Sequence, residues 1–178
     1  MNRKAIVAGA FYPRGAGELA RILEELIPQK EAKKAYGIMI PHAGYIYSGE
    51  VAGVAVGSVV IPPTVVIVCP NHSGMGASCA VWPNGEWEFP GFNTSVAQEM
   101  ASEFLVSCPI AEADYTAHLR EHSAEVLVPF LHFRRKDLTI LPICISHLNL
   151  AGINEVGKAL AELINKHPDV MLAISSDM

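Results

Sequence analysis

Two stretches of this sequence decide its fold: Gly37-Ile-Met-Ile-Pro-His42-Ala-Gly44 and Val65-Val-Ile-Val-Cys-Pro-Asn-His72-Ser-Gly74. Each is a short apolar run, typical of a strand buried on both faces, followed by proline, histidine and glycine. His72 follows His42 by 30 positions, about one β-α-β unit, so the pattern predicts two neighbouring parallel strands. Both imidazoles would then emerge at the carboxyl edge of the sheet, where open α/β sheets bind ligands. Taken singly, each histidine is explained by a hydrogen bond to its own loop, but the pair favours ligation of iron, zinc or copper.

The rest of the chain extends these two strands to a single α/β domain over residues 1–178. Apolar runs alternate with helical periodicity, which predicts a three-layer α/β/α fold with a mostly parallel sheet and helices on both faces. The predicted strands are Gly37–Ile40, Val65–Cys69, Leu138–Ile145 and Val170–Ile174, and the predicted helices are Ala16–Ile27, Glu50–Val60, Thr94–Val106, Ser123–His132 and Asn154–Asn165. Pro142 favours an edge position for its strand, since proline lacks a backbone donor. Pro83-Asn84-Gly85 predicts a β-hairpin over Cys79–Phe89.

Composition excludes several classes of protein. Hydrophobic residues make up 51% and charged residues 17%, against about 25% charged in an average soluble domain. This composition argues against disorder. The net charge is −5 and basic residues cluster only at Arg134-Arg135-Lys136, so we expect no nucleic-acid partner.

We also expect no membrane segment. The uncharged stretch between Glu50 and Glu86 is interrupted by Pro62-Pro63, which ends any helix there. Met1–Tyr12 lacks the sustained apolar run of a signal peptide, and the four cysteines form no CxxC pair. These features predict a cytoplasmic protein with reduced thiols.

A second histidine cluster reads His118-Leu-Arg-Glu121-His122, which matches the H-x-x-E-H pattern of inverted zinc metallopeptidases. On one helix, both histidines would share a face. However, the downstream sequence shows no acidic helix to supply a third ligand. Ser123 is also a good N-cap with Glu125 in the first turn, which would start the helix after His122. A solvated face made by His118, Glu121 and Glu125 is the simplest alternative.

With these residues in view, the chain resembles the Memo-like family, which includes the B proteins of AmmeMemoRadiSam systems and is similar in fold to class III extradiol dioxygenases. The resemblance covers nearly the whole chain and rests on several motifs in order: Ala8-Gly-Ala-Phe-Tyr-Pro13, Pro41-His-Ala-Gly-Tyr-Ile-Tyr-Ser-Gly49, Pro70-Asn-His-Ser-Gly74, Ala117-His118, Glu121-His-Ser-Ala-Glu-Val126, Pro129-Phe-Leu131 and Ser175-Ser-Asp177.

The resemblance implies a transition-metal cleft, with iron first and copper or zinc as alternatives. Its ligands would be His42 and His72, and His122 would stand where the dioxygenases keep an acid/base histidine. We expect further residues to line the site: Tyr45, Tyr47, Asn71, His118, Glu125 and Asp177. The resemblance also implies a radical SAM protein and an AMMECR1-like protein as partners, besides a small molecule or peptide.

The sequence departs from the family pattern in two places. It stops at Met178, where relatives continue into a segment that carries a cysteine ligand, so we expect a domain truncated at its carboxyl end. We also expect an exposed edge and face at Val170–Ile174. The second departure is Glu88-Phe89-Pro90-Gly91, where the family usually has Thr-Pro-Leu-Gly.

Two functions remain open at this point. In the first, the cleft holds a non-heme iron or similar metal and performs redox or dioxygenase-related chemistry, with His122 moving a proton. In the second, the cleft is a non-catalytic binding module for a peptide or a partner protein. Whether the protein is an enzyme is left undecided by the sequence.

Overall fold

A nine-stranded sheet organises residues 1–177, which are the residues described by the computed structural model. The strands are β1 (Arg3–Lys4), β2 (Gly37–Ile40), β3 (Thr64–Pro70), β4 (Cys79–Val81), β5 (Glu86–Phe89), β6 (Phe92–Val96), β7 (Glu112–Ala113), β8 (Thr139–Ile145) and β9 (Val170–Ser175). The strand order is β1-β5-β6-β8-β3-β9-β2, and β4 and β7 extend the sheet beside β8. The helices are α1 (Ala16–Leu26), α2 (Tyr45–Gly57), α3 (Gln98–Ser107), α4 (Thr116–Leu119), α5 (Val128–Arg134) and α6 (Leu150–Lys166), with a 3-10 turn at Glu125–Leu127.

Four neighbouring strands of the sheet, β8, β3, β9 and β2, are parallel, and β2 lies at the edge. They are the four apolar runs predicted from the sequence, because β-branched residues without polar alternation suit a sheet buried on both faces. The expected neighbours β2 and β3 do not pair, because β9 lies between them. All three strands are parallel, so the carboxyl ends of β2 and β3 still lie at the same edge of the sheet.

The interior position of β9 corrects the expectation of an exposed edge at Val170–Ile174. This strand pairs with β3 on one side and with β2 on the other. Met171 and Ala173 are fully buried, while Leu172 and Ile174 are half-buried.

Pro142 likewise lies in an interior strand, which corrects its predicted edge position. On one side β8 pairs with β3 along its whole length. On its other side, β6 pairs with Thr139 and Ile140, and β4 pairs with Ile143 and the residues after it. Pro142 lies between the residues of β8 that pair with β6 and those that pair with β4. The backbone N–H that proline lacks is therefore not needed for a continuous series of hydrogen bonds on that side.

The hairpin predicted over Cys79–Phe89 is wrong, because its two arms, β4 and β5, pair with other strands and not with each other. β5 pairs antiparallel with β6 through the turn at Pro90-Gly91, whereas β4 pairs with β7 and β8. Gly91 has φ 85°, in the left-handed region, where a side chain would also crowd Ala16. The predicted helix Thr94–Val106 is therefore a strand to Val96 and a helix only from Gln98.

Helices cover both faces of the sheet, as the three-layer fold class requires. Helices α1, α2 and α5 bury one apolar cluster against the sheet, and α3 and α6 bury a second cluster on the opposite face. Helix α2 approaches α1 closely at Gly53, where a Cβ would lie 2.1 Å from the Leu26 carbonyl oxygen. In the described part of the chain, no helix combines the length and the apolar character needed to cross a membrane.

Candidate metal centre

Three histidines lie close together at the carboxyl edge of the parallel strands β2 and β3. His42 follows β2, His72 follows β3, and His122 lies in the loop between α4 and the 3-10 turn. The ring centroids of His42 and His72 are 5.2 Å apart, and those of His72 and His122 are also 5.2 Å apart in a stacked arrangement. One ring nitrogen of each histidine lies within 4.8 Å of the corresponding nitrogens of the other two. The three side chains could therefore hold a metal ion together.

His42 is the most buried of the three, and its neighbours fix its protonation. Its Nδ1 lies 2.7 Å from Ser175 Oγ, and that hydroxyl donates its only proton to the Ser123 carbonyl oxygen at 2.7 Å. Ser175 Oγ must therefore accept from His42, which places the ring proton on Nδ1 and leaves the Nε2 lone pair free. Burial lowers the pKa of His42, although Asp177 opposes the shift. The ring is accordingly neutral at pH 7, as a metal ligand must be.

His72 is half-exposed and contacts the buried carboxylate of Glu121. Its backbone N–H donates to Glu121 Oε2 at 2.6 Å, and its Nδ1 lies 3.0 Å from Oε1. Burial by itself would raise the pKa of Glu121. Hydrogen bonds from the His72 ring and from the Ser123 and His72 N–H groups outweigh burial and lower that pKa to about 2. The site therefore contains a fixed negative charge beneath the histidines.

His122 packs edge-on against Phe11, with the ring centroids 4.7 Å apart. Burial lowers its pKa, with an opposing contribution from Glu121. Its Nδ1 lies 3.5 Å from Glu121 Oε1, a distance too long for a strong hydrogen bond. Its tautomer is therefore less constrained than those of His42 and His72.

His118 does not join this group, which argues against the zinc-peptidase interpretation of H-x-x-E-H. The short helix α4 ends at Leu119, so His118 and His122 are not on one helix. His118 is fully buried beside Trp82 and Trp87, and its Nε2 lies 3.1 Å from the Ala80 carbonyl oxygen. Burial lowers its pKa to about 4.

Glu125, predicted to line the site, is fully buried and faces the amino-terminal segment. It accepts hydrogen bonds from the Ile6 and Val7 N–H groups and from the Tyr12 hydroxyl, and it pairs with Arg3 at 2.7 Å. These contacts tie the start of the chain to the segment that follows His122.

The remaining predicted residues occupy different positions around the histidines. Tyr45 is buried and donates to the Val126 carbonyl oxygen, whereas Tyr47 is 82% exposed. Asn71 is hydrogen-bonded within its own loop, to Met75 and Gly74 among others. Asp177 contacts His42 directly, because its Oδ1 accepts from the His42 N–H at 2.7 Å and its Oδ2 lies 3.6 Å from Nε2.

Two contributors to the site were not assigned a role from sequence. Ser175 is the last residue of β9, and a polar residue at the end of an apolar strand is the signal that could have identified it. Arg3 gives no such signal, because it belongs to a two-residue strand without periodicity.

A cleft of about 460 Å³ opens beside His42 and His72. Its lining includes apolar and polar side chains. The apolar ones include Val68, Ile145 and Ile174, and the polar ones include Ser176 and Asp177. All four cysteines of the chain are free and buried, in agreement with the predicted reduced thiols, and Cys69 reaches the cleft wall.

Comparison with known proteins places this chain in a family. The family model described as Memo-like protein matches residues 3–178. A MEMO1 family protein of Thermotoga petrophila is 40% identical over 194 aligned positions, which cover 100% of this chain and 70% of the relative. A MEMO1 family protein of Aquifex aeolicus is 38% identical over 179 positions, which cover 99% of this chain and 66% of the relative. The motifs, the fold and this match agree, and the chain belongs to the Memo-like family.

Proposed function

We propose that this protein uses His42 and His72 to hold a transition metal in an open cleft, with iron as the metal. The observation that carries the proposal is the convergence of three histidine ring nitrogens within 4.8 Å at the carboxyl edge of the sheet. Imidazole nitrogens suit iron, copper and zinc. A metal about 2.1 Å from each nitrogen requires nitrogens roughly 3.4 Å apart, which small side-chain movements would achieve.

The residues divide into ligands and a proton carrier. His42 and His72 each have Nδ1 at hydrogen-bond distance from a fixed partner, so Nε2 is available for a metal. His122 lacks so short a contact, and we assign it the transfer of a proton at its ring nitrogen. When bound, iron would supply redox chemistry toward a small substrate in the cleft. The apolar side chains that line the cleft would exclude water around that substrate, and the polar ones would orient its polar groups.

The proposal is tested by anaerobic loading with ferrous iron followed by elemental analysis of the purified protein. We expect about one iron per chain in the wild type, and loss of that iron in a variant carrying both His42→Ala and His72→Ala. His147→Ala is the matched control, since it removes an exposed imidazole outside the cluster. The variant His122→Gln should keep its iron.

Equal iron in the double variant and in the control would contradict the metal site. Loss of iron in His122→Gln would contradict the assignment of His122 as a proton carrier and make it a ligand. Affinity does not decide among the metals, because copper and zinc bind most such sites more tightly than ferrous iron. Elemental analysis of protein purified anaerobically without added metal decides among them, and copper or zinc in place of iron would contradict iron.

A second candidate function is a non-catalytic module that binds a peptide or partner protein in the same cleft. The apolar lining at Val68, Ile145 and Ile174 favours it, because such a surface can accept an apolar side chain. Oxygen consumption by the iron-loaded protein with small aromatic substrates supports the enzyme. No consumption with any substrate, together with micromolar binding of a peptide that Ile174→Asp abolishes, would support the module instead.

A further inference from the structure

Glu121 is a buried carboxylate whose two oxygens are both occupied. Its side chain is 1% exposed. Oε2 accepts the His72 N–H at 2.6 Å, while Oε1 accepts the Ser123 N–H at 2.9 Å and lies 3.0 Å from His72 Nδ1. One side chain therefore contacts both the backbone and the ring of the same histidine.

These contacts determine where the protons are. The two backbone groups can only donate, so each carboxylate oxygen already acts as an acceptor. Among these contacts an imidazole nitrogen could accept a carboxyl proton, but imidazole is a stronger base than a carboxylate, so the proton would pass to the ring. Glu121 is consequently ionised. The short contact with His72 then requires a proton on Nδ1, because two acceptors cannot share a hydrogen bond.

We propose that Glu121 is a positioning residue that fixes His72 in its Nδ1–H tautomer and aims Nε2 at the metal. This inference rests on the proposed metal site. It extends that site to a residue which binds no metal and acts through a ligand, as carboxylates behind zinc-bound histidines do. Ser175 has the equivalent relation to His42, with a hydroxyl in place of the carboxylate.

The Glu121 carboxylate, more than packing, determines the orientation and the tautomer of the His72 ring. The His72 side chain is 49% exposed, and its ring makes no other hydrogen bond with residues 1–177. A half-exposed imidazole without a partner at Nδ1 would rotate and would mostly carry its proton on Nε2, which blocks ligation. The bond to Glu121 prevents both changes.

The test uses Glu121→Gln and two measurements. Nitrogen-15 NMR of the metal-free protein reports the tautomer of His72, and competition with a chelator reports its affinity for ferrous iron. In the wild type we expect Nδ1 protonated. In Glu121→Gln the amide cannot accept all three N–H groups, so we expect loss of that tautomer and roughly 10- to 100-fold weaker iron binding.

Ser73→Ala is the matched control. Ser73 follows His72 in the same loop, and the substitution removes the hydrogen bonds of its Oγ with Asn71 Oδ1 and with the Met75 N–H, neither of which involves Glu121. We expect it to keep the wild-type tautomer and an iron affinity within about threefold of wild type. A similar loss of affinity in Ser73→Ala and Glu121→Gln would show a general loop effect and overturn the proposal.

The wild-type NMR measurement decides the inference even if Glu121→Gln fails to fold. A His72 proton on Nε2 in the metal-free wild type would overturn it. Absence of iron binding in a wild type whose His72 carries its proton on Nδ1 would instead contradict the proposed function alone. The two failures are therefore distinguishable.

Discussion

Replacing Arg3 by methionine tests how strongly the amino-terminal strand supports the candidate site. The guanidinium is 1% exposed and pairs with the fully buried Glu125 at 2.7 Å. Its Nε donates to the His118 carbonyl oxygen at 3.0 Å, and its Nη2 donates to the Glu121 carbonyl oxygen at 2.6 Å. The Arg3 side chain also lies over the Trp87 ring, 4.3 Å from its centre. The substitution removes all of these contacts and leaves a buried carboxylate without its cation.

The expected magnitude follows from these contacts. Removing one partner of a buried ion pair costs about 3–5 kcal/mol, because the other charge stays buried. In Arg3→Met, Glu125 keeps its hydrogen bonds from Ile6, Val7 and Tyr12. We therefore expect the free energy of unfolding to fall by about 3 kcal/mol, the lower end of this range. Such a loss is a large part of the roughly 5–15 kcal/mol that stabilises a domain.

The assay is urea unfolding followed by circular dichroism, with hydrogen exchange on the loop that carries Glu121 and His122. Arg21→Met is the matched control, because Arg21 pairs with Glu25 on the surface of α1 with both side chains 61% exposed. It should change the free energy of unfolding by less than about 0.5 kcal/mol. If Arg3→Met costs no more than about 1 kcal/mol, or if exchange in the loop is unchanged, the amino-terminal strand does not support the site.

Two further predictions concern the buried histidine and the helix contact. Burial lowers the pKa of His118 from 6.5 to about 4, so the unfolded chain binds more protons and stability falls as pH drops from 6.5 to 4, by up to roughly 3 kcal/mol. His118→Leu should flatten this part of the pH profile of urea unfolding, and curves that stay parallel would contradict the prediction. Gly53→Ala should cost about 1–3 kcal/mol, because its Cβ would meet the Leu26 carbonyl and separate α1 from α2. Gly157→Ala, on α6 with nothing within 4 Å, should instead stabilise by about 0.5–1 kcal/mol in the same unfolding assay, and equal effects of the two substitutions would refute the steric argument.

The sequence predicts the parts of the site that depend on local patterns. His42 and His72 each end an apolar run, and parallel strands place their carboxyl ends at one edge whatever lies between them. Sequence order does not specify which strands pair, so it does not predict the insertion of β9 between β2 and β3. The edge position predicted for Pro142 is wrong for a similar reason, since the change of partner strand beside it depends on β4 and β6.

The supporting residues were harder to predict because their partners are distant in the chain. Arg3 and Glu125 are 122 positions apart, and no periodic pattern links them. For His118 the sequence has the reverse effect, because the local H-x-x-E-H motif indicates a metal ligand that the structure does not bear out. A break in the helix after Leu119 and the burial of the ring beside two tryptophans separate it from His122. The H-x-x-E-H motif indicates a shared metal site only when both of its histidines lie on one helix, which they do not here.

The interior position of β9 has a consequence for the order in which the protein folds. Within residues 1–177, the strands that carry His42 and His72 are linked in the sheet through β9, and its last residue, Ser175, also contacts the His42 ring. During synthesis on the ribosome, both histidines are made long before that strand. Pairing across such sequence distances is slow. The proposed metal site would therefore form in the step that completes the sheet, and the time course of metal uptake would follow the completion of folding.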